Sequence, residues 1–246
     1  GRKLHSAVVK QGFWGDSHVG TALITMYAKC GLLVEAQRVF EGLNKVDIVA
    51  WTSLIASYVD HGYDEQALTH FTLMEKSVDV YPDAVAYFYC LKACGNMGFI
   101  QKAQNLHTIV VKDGIDGDPL VSCTLVDMYA KCGFLHEASD VFDESEVQDD
   151  VAPWNSLIAG YAQNGLADEA LKCFRQMKYM RIYANEITYI CILKACGIVR
   201  NIDIGEDIVA EIRNRGLLNK SNLLGTAMMD MYSKCGLLEK AQEVFE

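Results

Sequence analysis

Apolar side chains recur along this chain at helical spacing, and glycines interrupt them at regular intervals. Trp51, Leu54, Ile55 and Tyr58 stand at i, i+3, i+4 and i+7, one face of a helix. Gly62 breaks the pattern, and Ala67, Leu68, Phe71 and Met74 restore an apolar stripe on a second helix. Pro82 and Asp83 close the unit, because proline cannot continue a helix and aspartate favours the cap of the next one. No segment alternates apolar and polar residues over a useful length. The expected fold class is all-α.

The same words return at one long period. "MYAKCG" begins at Met26 and at Met128, and "MYSKCG" begins at Met231. Tyr27 and Tyr129 lie 102 residues apart, and Tyr129 and Tyr232 lie 103 apart. "LKACG" recurs from Leu91 to Leu193, and "WTSLIASY" at Trp51 returns as "WNSLIAGY" at Trp154. A catalytic motif is needed once, so three copies point to architecture. Each block divides into three smaller cousins of about 34 residues, within the range of helical-hairpin repeats. Such hairpins cannot bury their apolar faces alone. Stacked, they share a core and wind into a superhelix with a concave groove, so one right-handed solenoid without an internal boundary is expected.

Composition adds the limits. Hydrophobic residues make up 51% of the 246, ample for a continuous core. No apolar run reaches the ~18–20 residues that span a bilayer. The opening "GRKLHSAVV" reads as the middle of something, without a targeting end. Nine cysteines with no C-x-x-C spacing argue against a disulfide framework and a zinc ribbon. Cys30, Cys132 and Cys235 share one repeat position, Cys94 and Cys196 another, and all five are expected to be small buried hydrophobes. The six histidines are scattered, and His5 and His107 share a repeat position, which points to structural roles. The G-x-x-x-x-G-K-[ST], H-E-x-x-H, G-x-S-x-G and zinc deaminase signatures do not occur. No enzyme, metal or cofactor is expected.

Two families have units of this length. The tetratricopeptide pattern matches at Trp51, Leu54, Tyr58, Ala67, Phe71 and Pro82, but Ile55 and Ile158 stand where its glycine belongs. Unit lengths of 31, 36 and 35 residues also depart from its constant 34. This alternation resembles the plant pentatricopeptide repeat family, specifically the PLS subclass in which P, L and S motifs rotate. "VAPWNSLIAGYAQNGLADEALKCFRQM" looks like a P motif, "EITYICILKACG" like the start of an L motif and "VGTALITMYAKCGLLVEAQRVF" like an S motif. In that frame a partial L motif covers 1–16, S 17–47, P 48–83, L 84–118, S 119–150, P 151–185, L 186–221 and a partial S 222–246.

The resemblance implies sequence-specific binding of single-stranded RNA, one base per repeat. Its reading pair is the fifth residue of a motif and the last. Thr52 follows Trp51 and so stands about 100° round the helix from the core stripe, toward the groove. An ionised Asp only accepts, which suits the N–H donors of guanine or uracil, whereas Asn donates and accepts and tolerates cytosine. Carried over, Thr21 with Asp47 and Thr52 with Asp83 match guanine pairs, and Asn155 with Asn185 matches a pyrimidine pair with cytosine favoured. Cys123 with Asp150 leaves its base open, and Thr226 implies a purine. Phe88 with Asp118 and Ile190 with Ser221 imply little readout. The order becomes 5′-G-G-x-x-C/U-x-purine-3′. Thr and Asp at these places also suit ordinary helix capping.

Val49 and Ala152 hold the second position of the P motifs, where the family wedges an aliphatic side chain against the base. Lys29, Lys131 and Lys234 stand at equivalent S-motif places, within reach of phosphates or simply on a solvated helix end. The formal charge of −10 runs against nucleic-acid binding, so affinity is expected to be weak, salt-sensitive and dependent on base contacts. The resemblance implies the specificity module of a mitochondrial or chloroplast RNA-editing (C-to-U) or RNA-processing factor, acting with other organelle proteins and without a membrane or small-molecule substrate. A protein-binding scaffold of tetratricopeptide type is the alternative reading.

Overall fold

The computed structural model describes residues 5, 6, 10, 16–218 and 222–245. Most of the expected unit at 1–16, and Ser221, lie outside the described residues. Fourteen helices are bounded within those residues, in seven hairpins, and the described residues hold no strand. The hairpins are α1 (Ser17–Lys29) with α2 (Leu33–Glu41), α3 (Ile48–Asp60) with α4 (Asp64–Glu75), and α5 (Ala84–Met97) with α6 (Ile100–Lys112). Then follow α7 (Pro119–Lys131) with α8 (Leu135–Glu144), α9 (Val151–Gln163) with α10 (Ala167–Tyr179), α11 (Glu186–Val199) with α12 (Ile202–Asn214), and α13 (Asn222–Lys234) with α14 (Leu238–Phe245).

Six first helices open on the same chemistry. Asp16, Asp47, Asp83, Asp118, Asp150 and Asn185 each precede a first helix and accept a backbone N–H of its first turn through a side-chain oxygen, at 2.8–3.1 Å. Those N–H groups have no partner inside the helix, and a side chain that accepts one contributes about 1 kcal/mol.

The turn within each hairpin is equally uniform. Leu32, Tyr63, Phe99, Phe134, Leu166 and Leu237 donate their N–H to the carbonyl five residues back, at 2.9–3.0 Å. The residue between helix end and donor is glycine in the left-handed region, φ 67–79°, at Gly31, Gly62, Gly98, Gly133, Gly165 and Gly236. This is the Schellman cap, which glycine enters without a Cβ penalty. It explains the final letter of "MYAKCG". Arg200 fills the same place after α11 at φ 53°, 102 residues after Gly98.

The chain groups into two compact units, Gly1–Thr124 and Leu125–Glu246. In the first, α3 packs between α1 and α5, with α2 against α1 and α3 and α4 against α3 and α5. Ile24, Leu54, Ile55, Phe71, Met74 and Leu91 are fully covered there. In the second, α11 packs between α9 and α13, α10 lies against α9 and α11, and α12 against α11 and α13. Trp154, Ile158, Met177, Ile192 and Leu193 form its core. The expected stripe of α3 is buried at Leu54, Ile55 and Tyr58, while Trp51 is half-buried with its ring edge-on to Phe40, centroids 4.6 Å apart. Trp154 and Phe142 repeat that pair at 4.6 Å.

Tyrosines fasten hairpins to one another. Tyr58 of α3 donates to Gln37 of α2 at 2.7 Å, and the Tyr27 hydroxyl meets His5 Nδ1 at 2.8 Å. Tyr87 and Tyr189 instead donate within their own hairpins, to Asp113 at 2.8 Å and Glu211 at 2.7 Å. Burial, with Glu206 beside it, pushes the Tyr232 hydroxyl up to about 12. Glu211 also takes Lys178 at 2.8 Å and Arg215 at 3.4 Å. Burial works to raise its pKa, but the bonds from Lys178 and Tyr189 and the charges of Lys178 and Arg215 outweigh it and hold the carboxyl below its ordinary 4.5.

Two outcomes follow from this packing. Arg200→Gly removes a left-handed non-glycine residue and should raise stability by about 1 kcal/mol in urea unfolding. Glu211 binds its proton more weakly when folded, so its contribution is present above pH ~4.5 and lost as pH falls below it. Glu211→Gln should therefore cost about 1–2 kcal/mol at pH 7 and flatten the fall in stability between pH 5 and 3, checked by melting across that range.

Candidate nucleic-acid interface

Among the described residues, the last residue of six expected motifs is an N-cap, so one side chain closes one unit and opens the next helix. Asp47 uses Oδ1 for Ala50 N–H and takes Ser17 Oγ on Oδ2. Burial works against its charge, but the bond from Ser17 and the backbone N–H bonds outweigh it and hold the carboxyl below the usual range. Asp83 and Asp150 cap through Oδ1 and stay exposed.

Fifth-position residues differ among themselves. Thr21 and Cys123 are half-buried, and Thr226 is exposed, its hydroxyl donating to Asn222 O at 3.0 Å. Thr52 departs from the expectation that it faces a groove. It is 8% exposed and donates to Ile48 O at 2.8 Å. Its helix packs between α1 and α5, and burial by neighbouring elements is something that rotation about a single helix does not reveal. Asn155 is covered to the same degree, 8% exposed.

One pair meets directly. Asn155 Nδ2 donates to Asn185 Oδ1 at 3.1 Å, across 30 residues. Thr188 completes the cluster. Its N–H donates to Asn185 Oδ1 at 3.1 Å and its hydroxyl lies 2.6 Å from Asn155 Oδ1. Sequence reasoning missed Thr188, although an Asn followed three residues later by a hydroxyl residue carries the spacing of a capping box. Ser17 was missed for a different reason, since it reaches a cap 30 residues away.

Val49 and Ala152 are exposed beside their caps. The three lysines are all exposed, but Lys131 pairs with Asp127 at 2.6 Å and Lys234 with Asp230 at 2.7 Å. Lys29 has Thr25 in the place of those acids. Phe88 is half-buried, edge-on to Tyr89, and Ile190 is half-buried. Cys94 and Cys196 are buried as expected, and burial raises the Cys196 thiol to about 12. The expectation for Cys30, Cys132 and Cys235 is corrected. Cys30 is exposed and the other two half-buried, because the chain leaves the core there to make the glycine turn. No helix among the described residues is long and apolar enough to cross a membrane.

Comparison with known proteins places this geometry. A model described as PPR repeat family matches residues 149–197, a pentatricopeptide repeat domain model matches 42–97, and a PPR repeat model matches 21–47, 122–147 and 226–246. Among curated relatives from Arabidopsis thaliana, the pentatricopeptide repeat-containing protein At4g18520, chloroplastic, is 33% identical over all of this chain and 39% of its own length. At2g03380, mitochondrial, is 34% identical over all of this chain and 35% of its own length. The chain thus spans less than half the length of each of these two relatives. A crystal structure of the pentatricopeptide repeat protein PPR10 in complex with an 18-nt psaJ RNA element superposes with a TM-score of 0.80 at 19% identity, covering 99% of this chain and 36% of that one. That likeness shows the fold, an all-α protein of the α–α superhelix class. With repeat models matching along most of its length and relatives a third identical from end to end, the chain belongs to the pentatricopeptide repeat family.

Proposed function

We propose that the repeats bind single-stranded RNA and read it one base per motif, in the P, L and S order set out from the sequence. The observation that carries this reading is the hydrogen bond between Asn155 and Asn185. It joins the two positions whose side chains form the reading pair, although they lie 30 residues apart. Caps at Asp47, Asp83 and Asp150 repeat the same placement at the ends of other motifs. PPR10, which shares the fold, was crystallised with RNA.

On this reading Thr21 with Asp47 and Thr52 with Asp83 select guanine, Asn155 with Asn185 a pyrimidine, and Thr226 a purine. Cys123 with Asp150 selects an undetermined base. Val49 and Ala152 flank the bases on the exposed side of the caps. The whole is a non-catalytic specificity module of an organelle RNA-editing or processing factor, in keeping with relatives named chloroplastic or mitochondrial. With a formal charge of −10 and two of three expected phosphate lysines already paired to acids, base contacts carry most of the affinity.

Selection from a randomised RNA pool tests it. Enrichment of 5′-G-G-x-x-C/U-x-purine-3′ is expected, with weak binding that falls as salt rises. Asn155→Thr combined with Asn185→Asp should move the fifth enriched base from pyrimidine to guanine. A pool with no positional enrichment would overturn the reading.

A further inference from the structure

The cluster of Asn155, Asn185 and Thr188 fixes the direction of its own hydrogen bonds. A backbone N–H can only donate, so the Thr188 N–H, 3.1 Å from Asn185, requires the amide carbonyl of Asn185 to face it. Asn155 Nδ2 donates to that same carbonyl. Asn185 N–H donates to Thr188 Oγ1 at 3.1 Å. The single hydroxyl proton of Thr188 goes to the nearer acceptor, Asn155 Oδ1 at 2.6 Å against Asn185 Oδ1 at 3.1 Å. Both amides are thereby locked with their carbonyls turned into the cluster. What they leave unused are Nδ2 hydrogens, two on Asn185 and one on Asn155.

A pair that offers donors tells the two pyrimidines apart. Cytosine presents two acceptors, N3 and O2, on its Watson–Crick edge, whereas uracil carries a hydrogen on N3. A donor aimed at N3 bonds cytosine and meets a like hydrogen on uracil. We infer that Thr188 is a positioning residue which, by locking the two amides, makes this motif select cytosine over uracil. The inference rests on the one-base reading proposed above. Thr188 is fully buried and touches no base itself. The equivalent place after Asp83 is Ala86, which has no hydroxyl to supply the lock.

The test uses the full chain and three RNAs: the expected sequence with cytosine at the fifth base, the same with uracil, and a scrambled control. The unaltered protein should prefer cytosine to uracil by about tenfold, the worth of one good hydrogen bond. Thr188→Val removes the hydroxyl that holds Asn155 Oδ1 and leaves that amide anchored through Nδ2 alone, so the ratio should fall toward one, while Thr188→Ser restores it. Thr188→Ala, matching the first block, is the second variant should valine disturb packing. The ratio is internal to each protein, so a loss of stability alone leaves it unchanged. A ratio near one in the unaltered protein, or an unchanged ratio in both Thr188→Val and Thr188→Ala, overturns the role of Thr188 while the one-base reading stands. Failure to distinguish the expected RNA from the scrambled one removes that reading, and this inference with it.

Discussion

Every first helix begins with backbone N–H groups that nothing inside the helix can satisfy, and that constraint organises the molecule. The chain meets it the same way at six described helices, with a short acidic or amide side chain placed one residue ahead. Because the residue ahead of one helix is the end of the previous hairpin, the cap also marks the joint between repeats. Asp47 and Asn185 also bond a side chain of the preceding first helix, Ser17 and Asn155. At Asn185 the cap that the next helix requires is also bonded to the fifth residue of its own motif, Asn155.

Some joints are reinforced further along the first helix. Tyr58 reaches back to Gln37, and Trp51 and Trp154 set their edges against Phe40 and Phe142 of the preceding hairpin. These contacts bury large aromatic surfaces while satisfying the hydroxyl, so neighbouring hairpins register on each other without a continuous sheet or a disulfide. Gly160 illustrates how close they come. A Cβ there would stand 2.9 Å from that of Ala130 and 2.8 Å from a Leu135 methyl, and the corresponding residue three motifs earlier is Ser57. The same letter of a repeat is thus a buried serine bonded to the Ser53 carbonyl in one block and a closely confined glycine in the next.

Most of the local structure was legible beforehand. Helical spacing named the α3 and α4 stripes, Gly62 named the turn, and Asp83 named the following cap. Each is decided within one or two helical turns, so a short stretch of sequence contains its cause. Cys30, Cys132 and Cys235 were misjudged because residue type says how apolar a side chain is but not whether a neighbour covers it. Thr52 was misjudged for the converse reason. It stands off the core stripe of α3, yet that helix packs between α1 and α5 and the side chain is buried.

The sequence by itself determined the helices, their caps and turns, the repeat period and the family, since all of these are written in near neighbours or in recurrence. Only the tertiary structure decided which polar groups remain available. Whether Lys131 and Lys234 are paired, where the Asp47 oxygens go, and which way the Asn155 amide points depend on side chains brought close by packing. A hydrogen bond is a property of two positioned groups, and for Ser17 with Asp47 or Thr188 with Asn155 the second group lies about thirty residues away.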